Sequence, residues 1–179
     1  MNRTATTTAQ ASESHPAHGR RLATTAWAPV SLAMFAAAWG GNEFTPLLVM
    51  YREQGGLSAV AVDSLLFTYV VGIVPALIIG GPLSDRLGSR PLMLPAPIFA
   101  ALGSLLLALG PDSLGMLSAG RILSGVALGL SMAVGGSWVA ELSTRAGSSG
   151  AAGAKRAAMS LTAGFGIGAG LAGVLAQWG

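Results

Sequence analysis

Two ionised side chains stand in stretches otherwise built for hydrocarbon. Glu43 lies within Trp39-Gly40-Gly41-Asn42-Glu43-Phe44-Thr45-Pro46, and Arg121 lies well inside the apolar run that begins at Leu114. A charge at the centre of a bilayer costs roughly 2.5–3.5 kcal/mol on insertion scales, so each needs a partner, a water-filled cavity or, for the acid, a proton. Glu43 with its neighbour Asn42, and Arg121, are therefore candidates for a cavity that takes a solute or a proton, with Glu43 and Arg121 as a candidate pair across it. The competing account of Glu43 is a structural glutamate near the outer membrane surface. Because a carboxylate held away from water can be tuned to titrate, a proton is the expected coupling ion. A third group, Asp85, Arg86 and Arg90, sits in Gly80-Gly81-Pro82-Leu83-Ser84-Asp85-Arg86-Leu87-Gly88-Ser89-Arg90 between two apolar runs, each long enough to cross a membrane. These charges belong in water or among headgroups, and Gly81 and Gly88 supply the backbone freedom of a tight link.

The elements that must carry these residues follow from composition. Of 179 residues, 52% are hydrophobic and only 9% charged, too apolar for an ordinary soluble domain and too apolar for disorder. Five spans are expected, at about 27–50, 60–83, 92–109, 114–139 and 157–178, in an all-α polytopic transmembrane helix bundle. The first has roughly 24 residues and reaches ~36 Å at 1.5 Å per residue, enough to cross with some tilt. Trp27 and Tyr51 bracket it as interfacial aromatics, and Pro46 is placed to kink it beside Asn42 and Glu43. Ser58 is a plausible N-cap of the second span, whose first turn would hold Asp63, and Pro75 is expected to kink that helix. Gly110-Pro111-Asp112-Ser113 is a turn. In the fourth span Arg121, Ser124, Gly125 and Gly129 recur at spacings of three and four, which predicts one face of small and polar residues.

The segment Gly81-x-Leu83-x-Asp85-Arg86-x-Gly88-x-Arg90 resembles the signature loop between the second and third helices of the major facilitator superfamily of secondary transporters. The resemblance implies a cytoplasmic latch in which Asp85, Arg90 and Glu141, at the end of the fourth helix, take part. Ser89 departs from the family, which usually has a basic residue there. Arg121-x-x-x-Gly125 is similar to the family's fourth-helix motif, an Arg followed four residues later by Gly, and this implies a role in proton or substrate coupling. The fifth helix resembles the family's antiporter motif only faintly, since Ala169 replaces its proline. The family's half-domain has six helices, so the expected fold is an N-terminal domain lacking its sixth helix, and the chain reads as an N-terminal piece of a twelve-helix transporter whose normal partner is the missing C-terminal domain. In its complete form such a protein moves a small-molecule solute by alternating access. The alternative is a truncated, transport-incompetent or interaction-only membrane segment.

Several other functions find no foothold. Gly168-x-Gly170-x-x-Gly173 has the spacing of a dinucleotide fingerprint, but neither a preceding strand nor an acid about twenty residues on accompanies it. Overlapping Gly-x-x-x-Gly pairs, Gly164 and Gly168 among them, instead predict a close helix crossing. His15-x-x-His18 in a polar tail and the absence of cysteine give no basis for a metal site, and no cofactor is expected. No nucleophile, base and metal constellation points to an enzyme. The ten basic residues, giving a net charge of +3, form no stripe for nucleic acid. They read as topology instead. With the tail inside, Arg3, Arg20, Arg21, Arg86, Arg90, Arg145, Lys155 and Arg156 lie on the inner side, against Arg52 alone outside. Residues 1–26 are expected to be a disordered cytoplasmic tail, although Arg20-Arg21 ahead of an apolar run also has the look of an export signal. A multi-pass protein of the inner cell membrane with its N-terminus in the cytoplasm is the result, with the lipid bilayer as its first partner.

Overall fold

A computed structural model describes residues 25–44 and 58–178, which form helices and turns and, among themselves, no strand. In chain order the helices are α1 (Trp27–Asn42), α2 (Ala59–Leu87), α3 (Ser89–Leu109), α4 (Leu114–Arg145) and α5 (Gly150–Trp178). The last four are each long and apolar enough to cross a membrane. The outer part of the first expected span, with Pro46 and Tyr51, and nearly all of the N-terminal tail lie outside the described residues.

Local sequence accounts for where these helices start. Ser58 caps α2 by accepting from the Ala61 N–H at 3.2 Å, Ser113 caps α4 by accepting from Met116 N–H at 3.4 Å, and Ser149 caps α5 by accepting from Ala152 N–H at 3.1 Å. Pro95 and Pro97 fall at the start of the longer piece of α3, Ala96–Leu109, where a missing N–H costs least. Asp63 falls just past the first turn rather than in it, because α2 already begins at Ala59.

The helices also outrun the apolar stretches that announce them. α2 continues without a break through Pro75 and Pro82 to Leu87, so the expected charged turn from Gly80 to Arg90 contracts to a single residue, Gly88, with φ at +84°. That value requires glycine. Gly81 is helical with open space where a Cβ would stand, so it provides neither a turn nor a close approach. The reason is that a helix satisfies its own backbone in water as well as in lipid, and charges at its end do not unwind it. The same holds elsewhere: α4 runs on past Glu141 to Arg145, and α5 begins at Gly150, so Lys155 and Arg156 are helical rather than in a loop.

α4 is the hub of the bundle. Half of its apolar stretch is buried, against 17–22% for α2, α3 and α5. It packs along α2 on one side and α3 on another, while α1 and α5 pair with each other and close against it. One core cluster joins Val30 and Met34 of α1, Met93 and Ala96 of α3, Val134 and Val139 of α4, and Ala157 of α5. A second gathers Phe44, Leu65, Leu107 and Leu117. Midway along α4, Ser131–Gly135 widens into a π-helical turn. The Ser131 hydroxyl donates to the Ala127 carbonyl at 2.8 Å there, and Gly135 leaves room for Met34.

Candidate functional site

Glycine brings α2 and α4 close enough to define the site. A Cβ on Gly125 would overlap the Tyr69 carbonyl, one on Gly72 the Ile122 carbonyl, and one on Gly129 would stand 2.7 Å from both the Ala76 Cβ and the Ile73 carbonyl. Backbone therefore meets backbone along this crossing, as small residues allow when lipid offers no hydrophobic drive between helices. The expected single face of α4 divides in two: Gly125 and Gly129 meet α2, whereas Ser124 turns to α3, where a Cβ on Gly103 would come 2.5 Å from its Oγ.

Arg121 sits at the head of this crossing and is 1% exposed. Its guanidinium lies between two rings, 4.1 Å from the centroid of Tyr69 and 4.5 Å from that of Phe44. Both terminal nitrogens donate to the Gly41 carbonyl, at 3.3 and 3.4 Å. A Cβ at Gly41 would collide with the Tyr69 hydroxyl, so only glycine lets the α1 carbonyl, the ring and the cation meet. Arg121 Nε, Tyr69 Oη and Ser124 Oγ find no hydrogen-bond partner among the described residues. The charge is thus held by quadrupoles and one carbonyl, each favourable but none carrying a compensating negative charge.

Glu43 lies next to Phe44 in the chain, and its carboxylate accepts from Trp39 Nε1 at 2.9 Å. The expected Glu43–Arg121 ion pair is not formed; the indole takes the acid and the aromatic faces take the base. Asn42 is the last residue of α1, half-buried beside Glu43. On the same helix Trp39 stacks obliquely on Phe35, with centroids 5.7 Å apart. Its backbone receives Gly168 of α5, and one turn earlier Gly164 fits against the Phe35 carbonyl and Ala38.

The far end of the bundle differs from the expected latch. Asp85, Arg86 and Arg90 are exposed, and none of them makes an ion pair among the described residues. Glu141 pairs with Arg145 on its own helix at 2.5 Å. What joins the helices there is a row of hydroxyls: Ser84 Oγ to Ser89 Oγ at 3.0 Å, and Ser89 Oγ to Ser137 Oγ at 3.0 Å. Ser89 makes a neutral link between α2, α3 and α4 where a basic residue was the family expectation. A second contact escaped sequence reasoning altogether. Arg156 lies 4.3 Å over the Trp27 ring and donates to Ser143 Oγ at 2.9 Å and Ser148 Oγ at 3.3 Å, tying α1 to the end of α4 and the start of α5. The aromatic at one helix start and a basic residue at another were the signal, but no spacing rule pairs residues so distant in the chain.

A bundle of apolar helices around a buried arginine defines a multi-pass membrane protein. The comparisons with known proteins give its family. The model described as Major Facilitator Superfamily matches residues 30–179, and the chain belongs to that family. It is also similar to CraA, a chloramphenicol resistance protein of Acinetobacter baumannii, with 33% identity over 114 residues. That stretch is 63% of this chain and 27% of the relative, so the chain matches little more than a quarter of the relative's length. No solved structure matches.

Proposed function

We propose that the complete protein moves a small solute across the inner membrane by alternating access, coupled to protons, with Asn42, Glu43 and Arg121 lining the solute or proton cavity. The observation that carries this reading is Arg121, a cation buried at the α1–α2–α4 contact with no ion pair among the described residues, bonded to the Gly41 carbonyl two residues before Glu43, whose carboxylate accepts from the Trp39 indole. A membrane-buried charge is kept at such cost where it does something. The Glu43 carboxylate has the Trp39 indole as its partner here, and the Arg121 guanidinium, bonded to the Gly41 carbonyl of the same helix, would be the alternative. Exchange between them would link a proton to a movement of α1 against α4.

The charged end of α2 belongs to this reading as the cytoplasmic gate. Gly81, Leu83, Asp85, Arg86, Gly88 and Arg90, with Glu141, would engage a surface that closes over them; Asp85, Arg86 and Arg90 are exposed and make no ion pair among the described residues, whereas Glu141 would have to leave Arg145. The orientation with the N-terminus in the cytoplasm rests on the distribution of basic residues. Because the similar protein carries the name of a chloramphenicol resistance protein, chloramphenicol is the first solute to test. The decisive experiment is uptake or efflux by the complete protein carrying Glu43→Gln, measured across a pH series. Transport and pH dependence are both expected to fall; if both persist unchanged, Glu43 is not the coupling group.

A second reading concerns the 179-residue chain by itself. Its α5 exposes Ile167, Leu171, Val174, Leu175 and Trp178, and beside them Gly166 and Gly170 have open space. Such a face suits another helix, and alternation requires two bundles. Reconstituted into liposomes, the chain alone is expected to bind its partner helices but to move no solute.

A further inference from the structure

We propose that the π turn at Ser131–Gly135 is a hinge inside the bundle, on which α1, α5 and the stretch Gly136–Arg145 of α4 swing against α2, α3 and the stretch Leu114–Leu130 of α4, with the Ser89–Ser137 hydroxyl pair as its catch. α4 changes partners at that turn. Leu114–Leu130 packs along α2 and α3, whereas Gly136–Arg145 packs against α5 and α1, which pair with each other. Within each group backbone lies on backbone. In the first, a Cβ on Gly125 or Gly72 would strike a carbonyl across the α2–α4 crossing, and one on Gly120 would crowd the Gly103 carbonyl of α3. In the second, a Cβ on Gly153 of α5 would strike the Ala140 Cα, and one on Gly164 the Phe35 carbonyl of α1. Helices so engaged move as one body. Arg156 fastens the second group further, since Trp27, Ser143 and Ser148 all belong to it.

Between the groups, side chains intervene. A Cβ on Gly41 would meet the Tyr69 hydroxyl, and one on Gly135 the Met34 thioether. Met34 of α1 and Met93 of α3 are buried in one core cluster with Val134 of the turn, and unbranched thioether chains repack readily. Arg121 crosses the seam at one end, with bonds of 3.3 and 3.4 Å to the Gly41 carbonyl that are long for N–H···O. Ser89 crosses it at the other, 3.0 Å from Ser137 Oγ. The π turn lies between these two links along α4, so a swing about it works on both. Such turns are where helices kink. Ser131 Oγ donates to the Ala127 carbonyl at 2.8 Å and Ser137 Oγ to the Val134 carbonyl at 2.9 Å, so hydroxyls take one carbonyl before the turn and one within it, and bonding of this kind bends helices. Because Ser137 also meets Ser89, and Ser89 meets Ser84, three hydroxyls join the turn to the charged tip of α2. Ser131, Val134 and Gly135 are buried among the helices named, so the hinge depends neither on a second bundle nor on proton coupling.

The test needs no solute. The chain has no cysteine, so pairs of spin labels can be placed in the full 179-residue chain in nanodiscs and their separations read by double electron–electron resonance. Leu87→Cys with Lys155→Cys spans the seam. Leu87→Cys with Leu109→Cys, and Thr144→Cys with Val174→Cys, each lie inside one group, all at exposed positions. The pair across the seam is expected to show two separations and the other pairs one each. S89A removes the catch but leaves the Ser137 bond to Val134, and should shift the ratio of the two separations about two- to tenfold, the weight of one net hydrogen bond. Deletion of Met132, the exposed residue of the turn, closes the π turn to an α turn while keeping later residues on their faces, and should leave a single separation at an equal or higher melting temperature. If the deleted chain does not fold, Ser89→Cys cross-linked to Ser137→Cys gives the same reading, one separation across the seam. A distribution that S89A leaves unmoved overturns the proposal. So do two separations that survive the deletion or the cross-link, or a spread inside either group as wide as that across the seam.

Discussion

Two arginines of this chain, Arg121 and Arg156, are held in nearly the same way and do different work. Each lies against an aromatic face, at 4.1 Å from the Tyr69 centroid in one case and 4.3 Å from the Trp27 centroid in the other, and neither forms an ion pair among the described residues. The difference lies in what surrounds them. Arg121 is sealed by a second ring and by backbone that glycines bring to contact distance, and its Nε is left with nothing. Arg156 is bound by hydroxyls and is only half-buried. One cation is therefore retained against a desolvation cost that the fold does not recover, and the other costs little and fastens three helix ends. Burial, rather than partner type, separates the charge proposed to act in transport from the one that fastens helix ends.

The heaviest blow to this contrast would come from the packing that seals Arg121. Gly125→Ala places a methyl against the Tyr69 carbonyl and should destabilise the bundle by about 3 kcal/mol or more, read as loss of a monodisperse folded peak in detergent. Normal folding of that variant would mean that the α2–α4 crossing is looser than described. Next, Arg121→Met should abolish transport by the complete protein while leaving the melting temperature unchanged or higher, because it removes an uncompensated buried charge and keeps much of its volume. If stability collapsed instead, the arginine would be structural and the contrast with Arg156 would vanish.

Arg156→Gln should do the reverse on a smaller scale, lowering stability by about 1 kcal/mol through loss of the Trp27 contact and leaving the Arg121 site intact. Tryptophan fluorescence of the unfolding transition reads this directly. The smallest effects come from two glycine pairs on α5. Gly164→Ala meets the Phe35 carbonyl and Ala38 and should destabilise, whereas Gly166→Ala meets open space in this chain and should stabilise by about 0.5–1 kcal/mol, as alanine does in an exposed helix. Equal effects at the two positions would show that α1 does not lie where described.

The sequence was legible where a residue's own chemistry was decisive. Glu43 and Arg121 stood out because a charge in an apolar run has few explanations, and Gly88 because a turn between two spans needs a positive φ. Ser89 was noticed only for what it replaced, and its bridge from Ser84 to Ser137 was invisible, since a hydroxyl accepts almost any neighbour. The extension of α2 to Leu87 was missed because hydropathy reports where lipid ends, while hydrogen bonding decides where the helix ends.

Composition and the spacing of apolar runs were enough by themselves to establish a helical membrane bundle and to single out the charges within its spans, because the bilayer excludes other solutions for so apolar a chain, while the resemblance of the segment from Gly81 to Arg90 pointed to the major facilitator kind. Only the tertiary structure decided who meets whom. Glu43 went to Trp39 and Arg121 to two rings and the Gly41 carbonyl, and of two interleaved glycine pairs on one helix, one was packed and the other left bare. Those choices depend on the rotation and approach of each helix about its axis. Many side chains set these jointly, and no single stretch of sequence carries them.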